Sequence, residues 1–253
     1  MTAAPRFVLR KVARRWGPRH ALSDVDLTIA PGERIALIGP SGSGKTTLLR
    51  LLMAALSPSS GSVTASGIDI SRMSPAQIRT HRQRCGLVDQ AAHMIPRLSV
   101  HDNVIAGRVA TWPWWKTLAS MIRSFDQAPV RSLLAAVGLA DRQWDRADEL
   151  SGGQMQRVAI ARALAANQRV LLADEPTAAL DPVTSAEVIA LLARETRRRD
   201  ATLVVSTHRV NQVCDQVDRI IALRDGRVAF DGPTATIDDA AIDGLYEGSN
   251  ERA

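Results

Sequence analysis

The chain has 253 residues, 45% of them hydrophobic, which suffices for one large domain with a sizeable core. Its formal net charge is +6, and 29 of its 32 basic residues are arginine, spread along the chain with only short runs at Arg14-Arg15 and Arg197-Arg198-Arg199. Two distant cysteines, Cys85 and Cys214, exclude a disulfide framework, and no apolar run nears the roughly 18–20 residues that span a bilayer.

The opening "MTAAPRFVLRKVARR" lacks a long apolar core, so no secretory signal is read. The expectation is a soluble, cytosolic chain that reaches a membrane only through a partner. Phe7 to Val12 alternates weakly and predicts a strand, followed by "ALSDVDLTI" and a turn at Pro31-Gly32-Glu33. "RIALIG" is a nearly continuous apolar run ending at Gly39, as in a buried parallel strand. Lys45 to Leu56 predicts a helix, broken by "SPSSG". Strand-like "SVTASG" and "GLVDQ" follow.

From about Pro96 to Ala166 the composition is mostly helical, interrupted by the tryptophan-rich "TWPWWKTLASMIRSF". "RVLLADEP" and "TLVVSTH" read as two more buried strands. Between them Asp181-Pro182 marks a helix start, with Asp as N-cap and Pro at the first helical position, and the helix runs to about Arg199. "RIIALRDGRVAFDG" predicts a hairpin turning at Asp225-Gly226. Strands alternating with helices predict an α/β fold with a parallel sheet, and the helical middle predicts an inserted subdomain. The expected organisation is a single domain, 1–253, with a helical subdomain at about 95–166 and a C-terminal tail at about 233–253.

Gly39-Pro40-Ser41-Gly42-Ser43-Gly44-Lys45-Thr46 fits G-x-x-x-x-G-K-[ST] at every position, between a predicted strand and a predicted helix. Such a loop surrounds phosphate oxygens with backbone N–H groups, and the helix dipole points at the same anion. Lys45 is then placed to reach the β- and γ-phosphates and Thr46 to ligate Mg²⁺, with Thr47 beside it. Asp174 and Glu175 end the strand-like run "VLLADE". There Asp174 would hold the magnesium through water and Glu175 would act as general base for a water attacking the γ-phosphate.

In "Leu150-Ser151-Gly152-Gly153-Gln154", Ser151 and Gln154 have capping-box spacing, so a helix starts at Gly152. Its bare N–H groups suit a second anion, while an ordinary capped helix with glycines for close packing is the alternative.

These segments in this order resemble the ATP-binding cassette of ABC transporters, from about residue 6 to 235. The markers are Trp16, the Walker A run Gly39 to Thr46, Gln90, "LSGGQ", the Walker B end Asp174-Glu175, the Leu180-Asp181 turn and His208. The resemblance implies a P-loop NTPase (RecA-like) parallel-sheet core with an N-terminal antiparallel β subdomain and an inserted helical subdomain. It implies ATP and Mg²⁺ as cofactors. Trp16 would stack on adenine, Gln90 ligate Mg²⁺ and sense the γ-phosphate, and His208 bond the γ-phosphate and orient base and water. Ser151, Gly152, Gly153 and Gln154 would face the ATP held by a second copy in a head-to-tail dimer, with Asp181 at that interface.

The run "MIPRLSVHDNVIAGRV" and the following insert resemble the ATPase of phosphonate importers. The resemblance implies separate membrane permease subunits, an extracytoplasmic solute-binding protein, no nucleic acid, and a place on the cytoplasmic face of the membrane. Asp89 and Ala92 stand where that subgroup usually has Phe, and Ala178 replaces the Ser of its "P-T-S-A-L-D". Trp112, Trp114 and Trp115 either pack the helical subdomain or meet a partner. ABC ATPases of another transporter, or of DNA or ribosomes, are the alternatives. Long heptad arms and cysteine clusters are absent from the sequence, which argues against the DNA-repair type.

Overall fold

The computed structural model describes residues 6–89, 93–109, 112 and 127–237. Four strands form an antiparallel sheet: β1 (Phe7–Trp16), β2 (Arg19–Ile29), β4 (Ser60–Ala65) and β5 (Ile68–Asp69), in the order β2-β1-β4-β5. β1 is longer than the alternation suggested. It continues past Val12 to Trp16 through register shifts, which scramble a period of two.

A second sheet holds six strands: β3 (Arg34–Ile38), β6 (Cys85–Val88), β7 (Val170–Asp174), β8 (Thr202–Ser206), β9 (Arg219–Arg224) and β10 (Arg227–Pro233). Their order is β10-β9-β3-β8-β7-β6. All pairings are parallel except the β9–β10 hairpin. Its turn residues Asp225 and Gly226 have φ of 50° and 75°, the double left-handed pair expected there.

The continuous apolar runs are explained by burial on both faces. Alternate residues of each central strand go to two different cores. Ala36, Ile38, Leu171, Ala173, Leu203, Val205, Ile220 and Ala222 join one cluster. Ile35, Leu37, Val170, Leu172, Val204, Ile221 and Leu223 join the other. The second cluster is completed by the antiparallel sheet and by α1 (Lys45–Leu52). The first is completed by α3 (Val100–Val109), α4 (Gln127–Ala136), α5 (Gly152–Ala165) and α6 (Pro182–Arg198).

Two helix readings are corrected. α1 stops at Leu52, not Leu56, because Ala54 takes a left-handed φ of 54° that no helix continues through. A helix that the apolar pattern did not announce, α2, spans Pro75–Arg84. It buries none of its side chains, so it carries no apolar stripe. Its signature was in the cap alone: Ser74 and Gln77 form a reciprocal capping box and Pro75 stands at the first position.

The "MIPRLSV" run is ordered by one buried amide. Asn103, fully buried, accepts from Ile95 N–H and donates to the carbonyls of Ile95, Leu98 and Ser99. Trp112 packs against the first core, with the Arg108 guanidinium 5.8 Å from its ring. Trp114 and Trp115 lie outside the described residues, as do Gln90 and Ala92.

Candidate nucleotide site

The loop Gly39–Gly44 leaves the end of β3 and leads into α1. Two glycines are demanded by position. Gly39 has φ 140°, and a Cβ there would sit 2.1 Å from the Leu223 carbonyl oxygen. Gly44 has φ 106°, and its Cβ would meet the Ala21 carbonyl at 2.5 Å. The loop is thus pressed against β9 and β2, which fixes its curl. No side chain caps the start of α1, which leaves its first N–H groups available to an anion. Ser43 Oγ is buried with no hydrogen-bond partner, a polar atom of the loop left for a ligand.

Lys45 is 6% exposed, and its Nζ donates to the carbonyls of Gly39 (2.8 Å) and Pro40 (3.1 Å). Burial pushes the ammonium below the ordinary lysine range, and the charges of Glu175 and Asp174 pull it back up. This is a partly desolvated cation with only neutral acceptors at bonding distance. The Glu175 carboxylate is 3.9 Å away.

Asp174 ends β7 and Glu175 follows. In a regular strand consecutive side chains diverge, but Glu175 adopts φ 44°, which breaks the alternation immediately after Asp174. A left-handed non-glycine residue costs roughly 1–2 kcal/mol, so something must hold it. Ser206 does. This hydroxyl, fully buried at the end of β8 in register with Asp174, donates to Asp174 Oδ1 (2.7 Å) and accepts from Glu175 N–H (2.8 Å). Ser206 was not among the residues singled out in the sequence. The signal was there only as the one polar side chain closing an apolar strand. Its role depends on register with a strand some thirty residues away.

Removing that hydroxyl leaves a buried N–H and a carboxylate oxygen without their partner. Ser206→Ala is expected to lose about 1–3 kcal/mol of stability in denaturant unfolding. Steady-state phosphate release should fall about tenfold as the two carboxylates loosen. Wild-type values for both would mean that Ser206 positions nothing.

His208 lies two residues beyond β8, half-exposed, with Nδ1 3.8 Å from Glu175 Oε2. Glu175 therefore stands between Lys45 on one oxygen and His208 on the other.

The segment Ser151–Gln154 begins α5 as its spacing predicted. Ser151 Oγ accepts from Gln154 N–H and Gln154 Oε1 accepts from Ser151 N–H. The two glycines differ. A Cβ on Gly153 would lie 3.2 Å from Leu180 Cδ2, so this glycine packs. A Cβ on Gly152 would meet nothing within 4 Å. Leu180 also brings the next turn alongside. Asp181 caps α6, accepting from Thr184 N–H at 3.0 Å, a bond that holds its carboxyl below the usual range. Ser151, Gly152 and Asp181 are all exposed, next to Val183 at 71% exposure. Among the described residues no hydrogen bond joins Ser151–Gln154 to the loop at Gly39–Thr47.

Trp16 closes β1 at a tight turn, pairing with Arg19, and is 49% exposed. The Arg14 guanidinium carbon stands 4.2 Å from the ring centroid and covers one face.

The model of the ABC transporter family matches residues 22–178, more than half of the chain. The chain belongs to the ABC transporter family. The cassette is 46% identical over 228 residues to the phosphonates import ATP-binding protein PhnC 2 of Pseudomonas aeruginosa, covering 90% of this chain and 85% of that one. It is similar in structure to the ATP-binding cassette MJ0796, solved as a dimer in a post-hydrolysis state with ADP and Pi. The TM-score is 0.78 at 32% identity, over 90% of this chain and 98% of that chain. It is also similar to cbiO1 of Clostridium perfringens, part of the ABC transporter complex cbiONQ. There the TM-score is 0.77 at 28% identity, over 91% and 89% of the two chains. This is an ATP-binding, ATP-hydrolysing cassette with the P-loop sheet expected of one.

Proposed function

We propose that this cassette powers a membrane importer of phosphonates or related phosphorus oxyanions, working as a pair of head-to-tail copies docked on separate permease subunits and served by an extracytoplasmic solute-binding protein. The observation that carries the catalytic part is Glu175 held between Lys45 and His208 at the mouth of the phosphate loop. The solute class comes from the relative named as a phosphonates import protein at 46% identity. Among the described residues no helix is long and apolar enough to cross a membrane, which fits a subunit held at the inner face by its permease. Within the single domain, residues of about 95–166 form the helical unit.

In this reading the backbone of Gly39, Pro40, Ser41, Gly42, Ser43 and Gly44 cradles the phosphates of ATP and Trp16 stacks on the adenine. Lys45 trades two neutral carbonyls for phosphate oxygens, an exchange its desolvated charge favours. Glu175 takes the proton of the attacking water while His208 orients both. Mg²⁺ fits the donors present: Thr46 is exposed on the first turn of α1, and Asp174 keeps one oxygen beyond its bond to Ser206. A hard cation that keeps several waters needs few protein oxygens. Gln90 would add an amide oxygen. When bound, the ion supplies neutralisation of the phosphate charge.

Ser151, Gly152, Gly153 and Gln154 would close on the ATP of the second copy, with Asp181 beside them. Ser151→Ala is expected to remove a helix cap worth about 1 kcal/mol. Turnover should fall at least about tenfold, as for loss of one phosphate-binding donor, while the isolated monomer keeps its ATP affinity. A collapse of monomer affinity would put these residues in the chain's own site instead. The transport assignment is tested by coexpression with the neighbouring permease genes and vesicle uptake of a labelled phosphonate. ATPase activity that is indifferent to permease and solute would sink it.

A further inference from the structure

The nucleotide residues lie where β7 ends, at Asp174. At the opposite end of the same sheet, where β6 and β7 begin, there is a cavity of about 360 Å³. Its walls come from both sheets and from α2. Phe7 and Ala65 belong to the antiparallel sheet, Cys85 and Val170 to the starts of β6 and β7. Length along β7 separates it from Asp174 by about 13 Å, at roughly 3.3 Å per residue.

Three arginines, Arg6, Arg84 and Arg169, line this cavity, and no aspartate or glutamate does. Among the described residues none of the three forms an ion pair. Arg6 Nε is sealed from solvent without a hydrogen-bond partner. His81 also lines the space, but its Nε2 is engaged by the Leu52 carbonyl at 2.8 Å, and burial pushes the ring below its ordinary pKa. The positive charge is therefore the arginines' own. Two of them rise from a fixed base: Arg169 N–H donates to the Arg84 carbonyl at 3.1 Å and Thr202 N–H to that of Arg169 at 3.0 Å. The half-exposed Ile68, with Met73 and Ala76, gives the remaining wall an apolar surface.

We propose that this cavity binds a small organic dianion with a short apolar group, of the class of aryl- or alkylphosphonates and phosphate monoesters, independently of the nucleotide site. Guanidinium forks match the paired oxygens of such a head, and three of them outweigh a single negative charge. Small-molecule sites run from about 300 to 1,000 Å³, so this volume suits a molecule of phenylphosphonate size. The inference does not depend on the transported solute.

The test is calorimetric titration of phenylphosphonate, and separately phenyl phosphate, into the full chain saturated with Mg²⁺ and a non-hydrolysable ATP analogue. One site per chain is expected, at least about tenfold tighter than for inorganic phosphate. Binding of either aryl compound supports the site, and the tighter one names the source. Arg84 and Arg169 are exposed, so Arg84→Gln and Arg169→Gln should fold normally. Each should weaken the aryl ligand at least about tenfold with nucleotide affinity unchanged. No heat of binding up to about 10 mM, equal binding of inorganic phosphate, or wild-type affinity in both variants would each overturn the proposal.

Discussion

Glu175→Gln should cut steady-state phosphate release by about 10²- to 10⁴-fold, the range of a positioned general base. The amide keeps the shape of the side chain but cannot take a proton from water. ATP binding should persist, and for a specific reason. The carboxylate stands 3.9 Å from Lys45 Nζ and close to where the γ-phosphate charge would come. Neutralising it removes repulsion for the incoming anion while leaving the loop amides and the lysine in place. Nucleotide affinity at or above wild type, with turnover nearly gone and dimer trapped by ATP in size-exclusion chromatography, is the expected pattern. Turnover close to wild type would strip Glu175 of the role. Weakened nucleotide binding would mean that its charge serves chiefly to hold Lys45.

Gly152→Leu should leave the isolated chain at least as stable as before, yet abolish most of its turnover, by about 100-fold or more. A side chain at 152 meets nothing in its own subunit, and replacing glycine near a helix start gains up to about 1 kcal/mol of propensity. Any damage therefore has to come from something outside the chain that approaches this helix end. The neighbouring substitution separates the two glycines. Gly153→Leu presses on Leu180 and should lower the unfolding midpoint. If Gly152→Leu turned over ATP normally, no second body would come close to the start of α5. The head-to-tail arrangement would then fail.

What the sequence made legible was local. The phosphate loop, the capping box at Ser151, the Asp181 cap and the Asp225-Gly226 turn each write their geometry within a few neighbouring positions, and each is found as read. α2 escaped because it packs no side chain into a core, so the period of 3.6 had nothing to display. Ser206 escaped because its partners are set by parallel register, which spacing does not encode. The left-handed turn at Glu175 is invisible for the same reason: nothing in "ADEP" demands it, and the bond to Ser206 Oγ supports it from another strand. The cluster of Arg6, Arg84 and Arg169 joins residues more than 150 positions apart, which read in the sequence as ordinary surface charge.

The strand order has a consequence in time. β3, which carries the phosphate loop, is flanked by β8 and β9 and by no earlier strand. Both neighbours are encoded beyond residue 200. At about 5–20 residues per second, a ribosome that has made the loop works on for some 8–30 seconds before the strand beneath it can pair. Throughout that interval the growing chain has the loop sequence and the β2 side of its platform, but not the β9 side that Gly39 presses against. A chain truncated before Thr202 leaves β3, and the loop it carries, without either of its neighbouring strands.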